Sequence, residues 1–292
     1  MRIAHLSDLH FSKFSLSPLQ FFSKRWLGNL NFLLFRRKEH ELERLKSLPS
    51  LFKKLNISYV VISGDLSTTS QASEFEMAKQ FIESLRDLNI GIFTIPGNHD
   101  HYTKSAFRKK QFYSFFNSSF GACPFNLKDH GVTATPLEEG WWLIALDTAL
   151  STSLYLSTGY FSEEIERCLR ETLNSIPKDQ KIILLNHFPL FEMDHPRKRL
   201  RRASHLLDLL LHTPSVQLYL HGHTHRHCIA DLRKNGLPII LDAGSTTEVK
   251  TGGWHLIDLN KDQVEIQKYR YTEGEWVIPS LENNVTFELR QS

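Results

Sequence analysis

The chain has 292 residues, 41% hydrophobic and 23% charged, with a formal net charge of +3. That composition is that of an ordinary soluble globular protein and excludes a disordered chain, while so small a positive excess gives no argument for nucleic acid. Three scattered cysteines, Cys123, Cys168 and Cys228, include no CxxC pair, which excludes a disulfide framework, points to a reducing compartment and makes each a packed thiol.

Residues 3–7 predict the first strand. No apolar leader with a small-residue cleavage site follows Met1, so no secretory signal is expected. The longest uncharged apolar stretch nearby, 26–35, is far short of the roughly 20 residues a spanning helix needs. The expected location is therefore cytoplasmic. Continuous apolar runs at 59–63, 90–95, 141–146, 181–185, 216–220 and 238–241 each break into Gly, Asn, Asp or His, as strands buried on both faces do. Helical spacing occupies 39–55, 73–88, 162–173 and 203–211, with Ser73 and Glu76 shaped like a capping box. Alternating strands and helices predict an α/β layered fold. Residues 254–259, 264–271 and 285–289 predict a closing meander. One domain is expected over 1–292, with an insertion at about 11–38 and C-terminal strands at about 252–292.

The strand ends carry the chemistry. In chain order they read Asp8-Leu9-His10, Gly64-Asp65, Gly97-Asn98-His99-Asp100, Asn186-His187 and His221-Gly222-His223-Thr224-His225. Carboxylates, an amide oxygen and imidazoles together are a ligand set for two divalent cations, which must sit roughly 3.5–4 Å apart and share an anionic bridge. Asp65, on a turn after Gly64, suits the bridge. Asp8 and His10 are two apart, as are His223 and His225, so on an extended chain each pair shares a face. Asn98 offers a neutral oxygen and His187 a further imidazole. Cations so held would lower the pKa of water and favour in-line attack on phosphorus. His99 is placed to protonate the leaving oxygen, and Asp100 to hold that imidazole and keep it cationic. His5 is expected as a strand residue that packs or supports a ligand, His221 and His227 as structural unless one supports a ligand, and His101, His195, His205 and His212 as solvated or local.

This ordered set resembles the calcineurin-like metallophosphoesterase family over about residues 1–250. The resemblance implies a four-layer αββα sandwich with metals at the strand C-termini. It implies Asp8, His10, Asp65 and His225 around one cation and Asp65, Asn98, His187 and His223 around the other, with His99 as the acid. The cations would be manganese, or iron or zinc. The expected activity is metal-dependent hydrolysis of a phosphoric ester or pyrophosphate.

Two segments suggest where the enzyme works. Within the insertion, Leu19, Phe22, Trp26, Leu30 and Leu33 form a helical stripe flanked by Lys24, Arg25, Arg36, Arg37 and Lys38. An aromatic stripe with basic flanks suits a cap lying on an anionic membrane surface, or one simply packed on the domain. Residues 195–202 hold five more Lys and Arg side chains, which would attract a polyanionic substrate or headgroup. An apolar, basic cap is similar to that of family members cleaving lipid-linked nucleotides. The expected reaction is therefore UDP-2,3-diacylglucosamine to UMP and 2,3-diacylglucosamine 1-phosphate, a step of lipid A biosynthesis, at the inner membrane face. One departure stands: the better-known lipid A hydrolase of this superfamily has Arg where this chain has His99. A cyclic-nucleotide or other soluble phosphodiesterase is the alternative, sharing Gly-Asn-His-Asp and Gly-His-Thr-His. A metal-binding scaffold without activity is disfavoured because no ligand is missing.

Overall fold

The computed structural model describes residues 1–13, 40–153, 155–192, 195–279 and 284–290. From residue 14 onward the expected insertion lies outside the described residues. The strands are β1 (Arg2–Leu6), β2 (Tyr59–Ile62), β3 (Gly91–Thr94), β4 (Val132–Pro136), β5 (Trp141–Leu146), β6 (Gly159–Tyr160), β7 (Lys181–Leu185), β8 (Leu200–Arg201), β9 (Val216–His221), β10 (Cys228–Asp231), β11 (Ile239–Asp242), β12 (Gly253–Leu259), β13 (Gln263–Thr272), β14 (Glu275–Val277) and β15 (Asn284–Glu288).

They form two large sheets. One runs β14-β13-β12-β1-β2-β3, with β15 on β13; the other runs β10-β11-β9-β7-β5-β4. In the first, β1, β2 and β3 are parallel. In the second, β5, β7, β9 and β11 are parallel. The closing meander returns to the start of the chain, with β12 antiparallel to β1.

Side-chain alternation builds the layers. Ile3, Val61, Ile183, Leu185, Leu218 and Leu220 meet in one core between the sheets. Their neighbours Ala4, Leu6, Val60 and Ile62 face outward onto Phe52 and Phe75, from helices Leu48–Lys54 and Ala72–Arg86. Ile182, Leu184 and Tyr219 face the other way, onto Leu169 and Leu206, from helices Glu163–Ser175 and Ala203–Leu211. Period-two alternation with both faces apolar gives helix, sheet, sheet, helix: the expected αββα sandwich.

Three local expectations need correction. The helix expected over 39–55 is a 3-10 turn, Leu42–Ser47, leading into Leu48–Lys54; Pro49 lacks the N–H that would continue one helix through that point. The helix expected from residue 73 starts earlier, because the Glu74 carboxylate accepts from the N–H groups of Thr69 (2.9 Å) and Gln71 (3.0 Å). The cap is therefore built on Gln71 and Glu74 rather than on Ser73 and Glu76. Strands β4, β10 and β14 carry no continuous apolar run and were not expected. Among the described residues no helix is long and apolar enough to cross a membrane.

Candidate metal centre

Parallel strands deliver their C-terminal loops to one edge of a sheet, where ligands bind in open α/β folds. Here two sheets do so at once. Asp8 follows β1, Asp65 follows β2, Asn98 follows β3, His187 follows β7, and His223 and His225 follow β9. Backbone bonds stitch these loops together: Asp8 N–H to Gly64 O (3.0 Å), His10 N–H to Asp65 O (3.0 Å) and Gly222 N–H to His187 O (3.2 Å). Across the sheets, His223 N–H donates to Asp8 Oδ2 at 3.0 Å. Gly222 permits that approach, since a Cβ there would overlap Ser7 Oγ and Asp8 Oδ2.

The sequence reasoning brought Asp8 to His10, and His223 to His225, by assuming extended chain. The structure brings each pair together differently. Asp8, His10, Asp65, His223 and His225 all have positive φ, from 49° to 69°. Left-handed backbone is uncommon for residues other than glycine and collects at functional sites.

The side chains converge in overlapping groups. Ligand atoms of Asp8, His10 and His225 lie within 4.8 Å of one another, as do those of Asp65, His187 and His223, and of His10, Asp65 and His99. His225 Nε2 is 3.0 Å from Asp8 Oδ1, and His187 Nε2 is 3.5 Å from Asp65 Oδ2. Asn98 Oδ1 is 3.3 Å from His187 Nε2.

This donor set fits divalent cations. His187 Nδ1 lies 2.7 Å from Ser63 O, and His223 Nε2 lies 3.0 Å from Lys198 O. A carbonyl only accepts, so each of these nitrogens donates its N–H and the opposite ring nitrogen is the one that can face a cation once it has shed any proton. Protonation points the same way. Burial lowers His187, but Asp65 outweighs it and raises the imidazole to about 9. His225 is raised too, Asp8 overcoming its burial. Burial holds His10 well below its usual range and takes His223 down to about 3. Burial would raise both carboxyls, but His225 holds Asp8 well below the usual carboxylate range and His187 keeps Asp65 low. The two buried carboxylates thus favour protons on the imidazoles beside them, a charge that bound cations would replace.

Against this geometry, the calcineurin-like phosphoesterase profile matches residues 1–227. The chain belongs to the calcineurin-like phosphoesterase family. It is accordingly a metal-dependent hydrolase of phosphoester bonds, and its Asp and His clusters suit two divalent cations. It is 25% identical over 230 residues to a 3′,5′-cyclic adenosine monophosphate phosphodiesterase of Haemophilus influenzae, spanning 73% of this chain and 76% of that protein. It is 26% identical over 208 residues to a probable glycerophosphodiester phosphodiesterase of Arcobacter nitrofigilis, spanning 70% of this chain and 66% of the relative. A dimetal phosphatase from Danio rerio has the same fold, with a TM-score of 0.68 at 12% identity over 99% of both chains. A purple acid phosphatase from yellow lupin seeds aligns with 98% of this chain and 53% of its own at a TM-score of 0.59 and 15% identity.

Other residues of the phosphoesterase depart from expectation. The Asp100 carboxylate does not hold the His99 ring. It accepts from the N–H groups of Leu66 (3.1 Å), Ser67 (2.8 Å) and Gly97 (3.0 Å) and from the Ser67 hydroxyl (2.8 Å). His99 Nδ1 lies instead 2.7 Å from Thr68 O, and a His99 ring nitrogen lies within 4.8 Å of ligand atoms of His10 and Asp65. Burial, then the charge of Asp65, raises Asp100 to about 6 against those donors. His101 is buried rather than solvated, 3.6 Å from Asp147 Oδ2. His5 packs inside its strand as expected, with Nε2 3.0 Å from Ser63 Oγ. The sequence reading missed His40, whose ring lies 4.8 Å from that of His10. It also missed Glu248, 3.7 Å from His225 Nδ1. The strand end at Asp242-Ala243-Gly244 was the available signal for Glu248; His40 follows the insertion at no strand end and had none.

Proposed function

We propose that the phosphoesterase hydrolyses a phosphate diester or pyrophosphate using two divalent cations, manganese in the working enzyme. The observation that carries this reading is the convergence of six Asp and His ligands, with Asn98 against His187 and His99 beside them, from the strand ends of two sheets. Asp8, His10, Asp65 and His225 would hold one cation; Asp65, Asn98, His187 and His223 the other. Bound there, the cations supply Lewis acidity toward phosphoryl oxygens and lower the pKa of water. A water oxygen attacks phosphorus as the bond to the leaving oxygen breaks. His99 gives that oxygen its proton, the ring held by the Thr68 carbonyl. Asp100 serves this step indirectly, by joining the loop after Asp65 to the loop before Asn98.

The favoured substrate is UDP-2,3-diacylglucosamine, cleaved to UMP and 2,3-diacylglucosamine 1-phosphate at an anionic membrane surface. The apolar, basic insertion supports this. So do Tyr155, Leu156 and Phe191, exposed large apolar side chains close to the cationic 195–202 segment, to which Ser157 N–H bonds at Arg197 O (2.9 Å). A soluble diester is the second reading, supported by the two curated relatives, each named for a phosphodiesterase. Hydrolysis with added Mn²⁺ of UDP-2,3-diacylglucosamine, 3′,5′-cyclic AMP and a glycerophosphodiester tests both. UMP release at the highest rate supports the lipid substrate. Turnover of the soluble diesters alone rejects it, and turnover of none rejects the reaction.

A further inference from the structure

The imidazoles assigned to the two cations are backed in different ways. His187 and His223 rest one ring nitrogen each on a main-chain carbonyl, Ser63 O at 2.7 Å and Lys198 O at 3.0 Å. His10 has Nε2 3.7 Å from Asp8 Oδ1, and its buried Nδ1 has no hydrogen-bond partner among the described residues. His225 is set between two carboxylates. Its Nε2 lies 3.0 Å from Asp8 Oδ1, on the side of the centre, and its Nδ1 lies 3.7 Å from Glu248 Oε2. At that distance the second contact is one of charge rather than a hydrogen bond.

Glu248 is fixed in the same frame as the ligands beside it. It lies in the loop after β11, which bonds to three successive residues of the chain leading to His10. Thr246 N–H donates to Ser7 O (2.9 Å), the Ser245 hydroxyl to Asp8 O (2.7 Å) and the Thr247 hydroxyl to Leu9 O (3.1 Å). The buried Arg44 donates to Glu248 O (2.6 Å) and Val249 O (3.1 Å). The Thr251 hydroxyl donates to Glu248 Oε2 at 2.7 Å, which orients the carboxylate. A surface glutamate free to rotate contributes little to an ion pair; this one is held at both its backbone and its carboxylate. A negative charge at the outer nitrogen of an imidazole fixes the ring and makes the inner nitrogen a stronger donor to a cation.

We propose that Glu248 is a positioning residue for one cation only, the one assigned to Asp8, His10, Asp65 and His225, and that it raises the affinity of that site by orienting His225. This rests on the reading that the centre holds two cations. Calorimetric titration of metal-free protein with Mn²⁺ tests it. Losing such a partner costs about 10–100-fold in metal affinity, and the 3.7 Å separation places Glu248 at the lower end. Glu248→Gln should therefore weaken one site about tenfold and the other less than twofold, with Glu248→Asp recovering part of the loss. The effect should persist in a His187→Ala background, where the other site is disabled, and vanish in a His225→Ala background. At limiting Mn²⁺, electron paramagnetic resonance should show isolated ions in Glu248→Gln where the wild type shows a coupled pair. Equal weakening of both sites, no weakening, or a full effect without His225 would overturn the role. A wild type that binds a single manganese, more weakly after Glu248→Gln, would keep the role and sink the two-cation reading.

Discussion

Asp100→Ala separates two roles for a fully buried carboxylate. If Asp100 clamps loops, the change leaves the backbone N–H groups of Leu66, Ser67 and Gly97 without their acceptor. A buried donor stripped of its partner costs about 1–3 kcal/mol, and water entering the vacated space recovers part of that. Three such donors put the loss at about 3–5 kcal/mol, a large fraction of the roughly 5–15 kcal/mol that holds a typical domain together. Asp100→Asn keeps one oxygen but turns an NH₂ toward a donor, so it should lose about half as much. Urea unfolding of metal-free protein reads this directly, as a lower midpoint at unchanged slope. Metal affinity should fall as well, because Leu66 and Ser67 follow Asp65 and Gly97 precedes Asn98. A variant within about 1 kcal/mol of wild type whose rate–pH profile shifts instead would refute the clamp and restore Asp100 as partner of the His99 ring.

Asp65→Ala should abolish activity and metal retention together; two cations per chain by elemental analysis of that variant would remove Asp65 as the shared ligand. His99→Ala should slow turnover about 10²–10⁴-fold with both cations still bound, and loss of a cation would make His99 a ligand instead. Apparent Mn²⁺ affinity should climb about tenfold per pH unit from 7 to 9, because His187, at about 9, must shed its proton to bind; a flat profile counts against it. Metal-free stability should move oppositely: a folded pKa above the unfolded one stabilises fully below the ordinary histidine value, and that contribution disappears as pH rises through about 9.

The sequence exposed most of the fold because the parallel strands are apolar on both faces. Runs such as 181–185 and 216–220 stand out from their surroundings, and although Asp, Asn and Gly are common at single turns, five strand ends carrying them together with histidines in this order are not. What stayed hidden depends on contacts rather than residue types. Asp100 beside His99 looks like an imidazole partner, yet its oxygens point at amides contributed from more than thirty residues earlier. His101 and His212 are indistinguishable as letters, although one is buried and the other open. β4, with its threonines, lacks the apolar run that marks a buried strand, and is a strand because β5 pairs along its full length.

The same contrast explains how the ligands are held. Extended chain would have satisfied the period-two spacing of Asp8 with His10 and of His223 with His225, but β1 ends at Leu6 and β9 at His221. Beyond those points the chain turns left-handed at each ligand, a conformation costing on the order of 1 kcal/mol or more per residue. No local sequence preference compensates several such residues in succession. The compensation is tertiary: Asp8 bonds to Gly64 and His10 to Asp65 within the first sheet's loops, while His223 bonds to Asp8 across to the second. These bonds hold only while the two sheets keep their relative position, which the apolar core between them fixes. The ligand geometry therefore depends on the packing of Ile3, Val61, Leu185 and Leu220 as directly as on the ligands. A cavity cut there should loosen both halves of the centre together rather than one cation at a time.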